Sequence, residues 1–204
     1  MSHFSPHLQR CVRRQHGVVT GDQLRADGIS PYTIERWRLR HLLEPVHIDI
    51  YRLEAAPDTL EARCVVPTLA HPGAVVGGAS AAALWDFDHV FRPTRADCVH
   101  GRDVVIGRPV GGVSYRPMRW LSDCDVVERG DAIRVLSRAA TWLDCVGQMS
   151  IEHGATFTEH VLDSQCDVDE LWNVVERREA ARRGRPGRAH MLLSAVRRRG
   201  PQAA

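Results

Sequence analysis

A helix that reads DNA presents hydroxyl and guanidinium groups near its N-terminus, where they reach base edges in the major groove. One stretch of this chain has that pattern. Ser30 is placed to cap a helix with Pro31 in its first turn and Glu35 near the capping-box position. In that helix Ile34, Trp37 and one of Leu42 or Leu43 share an apolar face, while Tyr32, Thr33, Arg36 and Arg40 fall on the opposite face. Hydroxyls suit phosphates or bases, and Arg can grip guanine O6 and N7 with two hydrogen bonds. Arg10, Arg13 and Arg14 lie on a flanking helix, where they could neutralise phosphates. His47 follows in a short β segment and is a further candidate contact. The same spacing also suits a small helical bundle with a solvated basic face.

The elements that must hold these residues read as three short helices and a hairpin. Pro6 opens a helix with Leu8 and Val12 inside, and Gly17 ends it. Thr20 caps a second, short helix that Gly28 closes at a left-handed position. The third helix is stopped by Pro45, after which residues 46–53 alternate as a strand or tight hairpin would. This is the order of a winged helix-turn-helix. The predicted fold class is α+β, with the winged helix-turn-helix over residues 1–54. A second unit spans residues 57–204, mixed α+β over 57–136 and helical over 137–204. In that second unit Asp58 is the expected cap of a helix broken at His71-Pro72-Gly73. Strands are expected near 74–76, 95–99, 112–116 and 132–135, and a close-packed helix over 80–85. Ser137, Ser150 and Asp167 are placed to start helices, and a last helix carries Met191, Leu192, Ala195 and Val196.

The 204 residues are 44% apolar and 25% charged, as in a soluble globular protein. No apolar stretch approaches the roughly 20 residues that span a bilayer, and the N-terminus lacks the apolar core of a secretory signal. The expected location is the cytoplasm. All 27 basic residues are Arg, which excludes mechanisms that need a Lys ammonium. Charge is uneven: residues 1–45 hold 7 Arg against 4 acids, residues 120–176 hold 3 against 12, and residues 177–204 hold 9 against 1. Such asymmetry points to more than one working surface. The C-terminal group includes Arg178, Arg182, Arg183, Arg185 and Arg188. It suits either a second face for a nucleic acid or partner, or a solvated helix surface partly neutralised by the acidic segment.

Catalytic patterns are weak. Cys98 and His100 share a strand face, but nothing in the sequence supplies a third metal ligand or an orienting group. Asp123, Asp125, Glu128 and Asp131 lack the calcium-loop pattern and read as a solvated loop. Ser80 lacks the Gly-x-Ser-x-Gly elbow and reads as close helix packing. The six cysteines form no Cys-x-x-Cys pair and read as free thiols. Of the five Trp, Trp120 is the one expected to be exposed. No catalytic residue, metal or cofactor is expected.

The run GVVTGDQLRADGISPYTIERWRLRHLLEPVHIDIYRL resembles the N-terminal winged-helix domain of the AbiEi family of type IV toxin–antitoxin antitoxins. Next, TLEARCVVPTLAHPGAVVGGASAAALWDFD resembles the helix, strand and helix that follow in that family, and DVVERGDAIRVLSRAATWLDCV resembles its acidic strand, hairpin and helix. The three segments occur in the family's order and span roughly residues 15–200. The resemblance implies an antitoxin and autorepressor. It would bind operator DNA through residues 1–54 and counter a nucleotidyltransferase-like toxin through residues 57–204. Two departures stand out. The family's wing carries a Gly between its strands, whereas here the segment reads Val46, His47, Ile48, Asp49, Ile50, Tyr51; Asp49 could take the positive φ of a turn, and an acidic wing tip would repel phosphate. Longer relatives continue into a very-short-patch-repair-like endonuclease domain, and this chain ends about where that domain would begin. The expectation is therefore a protein with no nuclease. A stand-alone transcription regulator, or a non-catalytic protein-interaction module, are the rival readings.

Overall fold

The computed structural model describes residues 4–87, 93–163, 166–182 and 187–199. The fold is α+β, with small sheets toward the N-terminal side and a helical C-terminal region. Its elements run α1 (Pro6–Arg14), β1 (Val18–Thr20), α2 (Gly21–Ala26), α3 (Pro31–Leu39), β2 (Leu43–His47) and β3 (Ile50–Leu53). They continue with α4 (Leu60–Ala70), β4 (Ala74–Val76), α5 (Gly78–Leu84), β5 (Ala96–His100) and β6 (Val113–Pro117). A single turn of 3-10 helix (Asp123–Asp125) leads into β7 (Val126–Glu128) and β8 (Arg134–Leu136). The chain then runs through α6 (Arg138–Val146), α7 (Ile151–Asp163), α8 (Val168–Arg182) and α9 (Gly187–Arg199).

In the N-terminal unit the helix starts are set by side-chain caps. The Ser5 hydroxyl accepts from the Leu8 N–H of α1, and Thr20 and Gln23 form a reciprocal capping box on α2. Strand β1, too short to show a periodicity, lies beside β3, so the sheet order is β1-β3-β2 and both pairs are antiparallel. Leu8, Val12, Leu24, Ile34 and Leu43 fill the space under α1–α3. Of the two leucines after α3, Leu43 goes inside and Leu42 stays exposed. Pro45 does not stop the helix. The helix ends at Leu39, the chain turns through His41 with φ 57°, and Pro45 sits in β2. It is tolerated there because β2 is the edge strand and its register with β3 shifts beside Pro45.

The second sheet has order β6-β5-β4-β8-β7; β4 pairs antiparallel with β5 and parallel with β8. Thr59, rather than Asp58, caps α4, its hydroxyl accepting from the Ala62 N–H at 3.2 Å. Asp58 instead sits near Arg52 and Arg63. Strand β7 falls where the resemblance implies an acidic strand, and it forms a hairpin with β8. Helix α6 is buried from Ala139 to Val146 and forms the centre of the helical region, with α5, α7, α8 and α9 around it. Trp120 is buried in this core, at 9% exposure, because the chain leaving β6 folds back over the helices.

The two units share one apolar seam, in which Val18 and Ile50 pack in the same cluster as Ala62, Cys64 and Val65 of α4. Polar contacts extend it. The Arg14 Nε–H donates to the Gly130 carbonyl at 2.8 Å, and His16 Nε2 lies 3.0 Å from Asp131 Oδ2.

Candidate nucleic-acid interface

Helix α3 is aimed by the turn before it. Gly28 takes the left-handed φ of 84° that closes α2, and Ile29 is buried, so the chain enters α3 from a fixed direction. Ser30 accepts from the Thr33 N–H at 3.2 Å, and its hydroxyl lies 3.0 Å from that of Thr33. Glu35 does not close a capping box; it pairs with Arg38 at 2.6 Å. Ile34 is buried and Trp37 meets Phe4 edge-on at 5.8 Å, which sets the rotation of the helix. Tyr32 is then 76% exposed, and Arg36 and Arg40 are exposed beside it. Among the described residues the Arg36 and Arg40 side chains make no hydrogen bond or ion pair, and the same holds for exposed Arg10 and Arg13 on α1. Tyr32, Arg36 and Arg40 therefore form one solvated, cationic and hydroxyl-bearing strip.

The remaining candidate contacts are placed differently. Arg14 is turned onto the Gly130 carbonyl and so holds the two units together. His47 is half-buried against the second unit, its ring 5.7 Å from that of His71, which in turn meets Tyr115 at 5.6 Å. Burial, then the neighbouring His71 and Arg108, push the His47 pKa below its usual value. The unfolded chain thus takes up a proton that the folded site resists. Stability contributed at His47 is present above the ordinary imidazole pKa near 6.5 and declines as the pH falls through it. We expect the urea midpoint to drop between pH 7.5 and pH 5.5, and His47→Asn to make that drop smaller. An identical drop in the variant would show that His47 does not resist protonation.

The hairpin turn falls at Asp49, with φ 54°. Its carboxylate takes two bonds from Arg25, at 2.5 and 3.3 Å, and its carbonyl accepts from the Gly21 N–H at 2.7 Å. A Cβ at position 21 would lie 1.9 Å from Asp49 Oδ1, so any side chain there would have to push the Asp49 carboxylate out of its place. The acidic tip is thus tied to α2 through Arg25, which it shares with Asp22 at 2.7 Å.

Among the described residues, Arg177 and Arg188 of the C-terminal group are engaged within the protein. Arg188 donates to the Met149 carbonyl and to that of Gly147 at 3.2 Å, tying α9 to the end of α6. Arg178 is half-buried beside a cleft that Arg116, Asp144 and Gln148 also line. Arg183, Arg185 and the side chain of Arg182 lie outside the described residues. Arg177 donates to Asp125 at 2.6 Å.

Asp125 overturns the reading of its segment as a solvated loop. It is fully buried and also accepts from the Ser122 hydroxyl at 2.7 Å. Asp131 is part of the same correction. Burial pushes its pKa up, but hydrogen bonds from His16 and Arg129 outweigh that and hold it below the usual carboxylate range. Asp144, which no motif marks, is also buried; it accepts from the Gly78 N–H at 3.0 Å and from Arg116 at 2.6 Å. The signal available in the sequence was only the charge imbalance between the acidic segment and the arginines that flank it.

The candidate nucleophiles named from the sequence, Cys98 and Ser80, are both buried. Cys98 is buried, and burial followed by the neighbouring Asp97 pushes its thiol up to about 12. His100 Nδ1 is 2.9 Å from the Gly101 carbonyl. Ser80 is buried, accepting from the Asp97 N–H at 2.9 Å, which fits its packing role. Among the described residues no three His, Cys, Asp or Glu converge on a point that could hold a metal ion. None of the six cysteines is in a disulfide. Among the described residues no helix is long and apolar enough to cross a membrane.

The architecture defines an α+β protein. No family model matches the chain, and no curated protein does. Its fold is similar to that in the crystal structure of the RV2827C protein from Mycobacterium tuberculosis. The TM-score is 0.60 over 95% of this chain and 81% of that one, at 14% sequence identity. At that identity the likeness is one of fold.

Proposed function

We propose that the chain is a DNA-binding antitoxin of the type IV kind that represses its own operon. Residues 6–53 would act as a winged helix, with α3 in the major groove of the operator. The observation that carries this reading is the outward strip of α3, where Tyr32, Arg36 and Arg40 are exposed on a capped helix and both guanidiniums are free of internal partners among the described residues. Arg10 and Arg13 on α1 are available for the phosphate backbone, whereas Arg14 and His47 serve the junction between the units. The antitoxin role rests on the AbiEi resemblance of the three ordered segments. On that reading the second unit opposes a nucleotidyltransferase-like toxin, and the protein itself is not an enzyme.

Fluorescence anisotropy with the chain's own upstream DNA, against a scrambled duplex at two salt concentrations, tests the repressor role. Tight binding to the upstream DNA alone is expected. Arg36→Ala is expected to weaken that binding by about 1–3 kcal/mol and to relax preference at one base position. Equal binding of both duplexes that vanishes with salt would leave only non-specific attraction. Failure to bind any duplex would favour a protein-interaction module, for which the exposed Leu39 and Leu42 beside the strip are the feature to examine.

A further inference from the structure

A winged helix commonly uses its hairpin tip to grip the backbone beside the recognition helix, and here that tip is spent. Asp49 is held by Arg25, His47 faces His71, and Val46 packs against the second unit's core. Immediately beside it runs the connection from β5 to β6, residues 101–112. Glu44, Pro45 and Val46 of β2 share the wall of a single cleft with Val110, Gly111, Gly112 and Val113. Arg108 is close enough to His47 to disfavour its charged form.

This loop has the make-up of a backbone-gripping arm. Arg102 and Arg108 are both exposed, and among the described residues neither makes a hydrogen bond or ion pair. Against them stands only Asp103, so the loop is cationic, whereas at the hairpin tip Asp49 shares its one arginine, Arg25, with Asp22. Gly107 and Gly111 have neither a left-handed φ nor any neighbour within 4 Å of a built Cβ. Nothing inside the protein requires glycine there, whereas close approach of an outside backbone would.

We propose that the β5–β6 loop replaces the wing, with Arg102 and Arg108 gripping DNA phosphates that flank the site read by α3. This rests on the DNA-binding reading above. The contact is electrostatic and carries no base preference, so it acts alike on every sequence. The second unit thereby takes part in DNA binding, and the operator footprint extends past the reach of α3.

The test is a salt titration of the full chain on its upstream DNA and on a scrambled duplex, by anisotropy. In Arg102→Gln/Arg108→Gln the log–log salt slope should fall by about two, and affinity for both duplexes should drop about tenfold. Arg102→Lys/Arg108→Lys should restore the slope, because charge rather than fork geometry is what phosphate neutralisation needs. Matching melting curves will show that these exposed positions leave the fold intact. Wild-type protein that binds its upstream DNA with a slope unchanged by the double Gln variant overturns the loop assignment and leaves the α3 reading standing. Wild-type protein that binds no duplex overturns the α3 reading, and the loop assignment with it.

Discussion

Replacing Arg177 with Ala is expected to destabilise the protein by about 1–3 kcal/mol. Asp125 is fully buried, and Arg177 reaches it from α8 at 2.6 Å across fifty-two positions of sequence. The remaining acceptor capacity of Asp125 goes to the Ser122 N–H and hydroxyl, and its own carbonyl accepts from the Ser137 N–H at 2.7 Å. One residue thus joins the start of β7, the cap of α6 and the face of α8. With the guanidinium gone, the buried carboxylate loses its counter-charge, and because Arg177 is itself 41% exposed, water entering beside the shortened side chain offsets part of that penalty. Urea denaturation followed by far-UV circular dichroism measures it. Adding Asp125→Asn to the variant should recover part of the loss, since an amide needs no counter-charge. A loss below about 1 kcal/mol would mean that Asp125 finds solvent once Arg177 is removed.

Trp142→Ala is expected to cost more, about 3–5 kcal/mol. Trp142 has no exposed surface and stands on α6, which the other C-terminal helices surround. Its indole N–H donates to the Thr158 hydroxyl of α7 at 2.9 Å, and that hydroxyl donates to the Gly154 carbonyl at 2.6 Å. Truncation opens a cavity between helices that cannot close without moving α7, and it removes a partner from a buried hydroxyl. Trp142→Phe separates the two effects. It keeps most of the volume and should cost much less, on the order of 1–2 kcal/mol, mainly from the lost hydrogen bond. Equal losses in the two variants would place the importance of Trp142 in the indole N–H rather than in its bulk.

The N-terminal elements were legible because their signals are local. Pro6 stands in the first turn of α1, Thr20 and Ser30 stand directly before the helices they cap, and Ile34 and Trp37 fall at helical spacing, while the choice of Leu43 over Leu42 came only from the packed turn. Ser137 before α6 and Ser150 before α7 were legible for the same reason. Thr59 was hidden by the neighbouring Asp58, since both are good caps and only the chain's path decides between them. Strand β1, three residues long, is too short to alternate visibly and exists because β3 offers it a partner edge, whereas the strand at β7 entered only as one that the resemblance implies. Pro45 reads locally as a helix stop, yet an edge strand with a shifted register accommodates it.

The strip on α3 divides in the same way. That Tyr32, Arg36 and Arg40 share a face follows from 3.6 residues per turn, which the sequence alone dictates. That Arg14 and His47 turn toward the second unit depends on residues more than twenty positions away, namely Gly130 and His71. The fate of the acidic segment is likewise non-local. Asp125 and Asp131 look like surface charges until α8 brings Arg177 to one and the start of β1 brings His16 to the other. Local sequence determined where helices begin and which of their faces is apolar, because caps and periodicity act within a few residues. Which charges are buried, which arginines remain free and which loop lies beside the hairpin were decided only by tertiary structure, because a charge is buried only where a distant element supplies its partner.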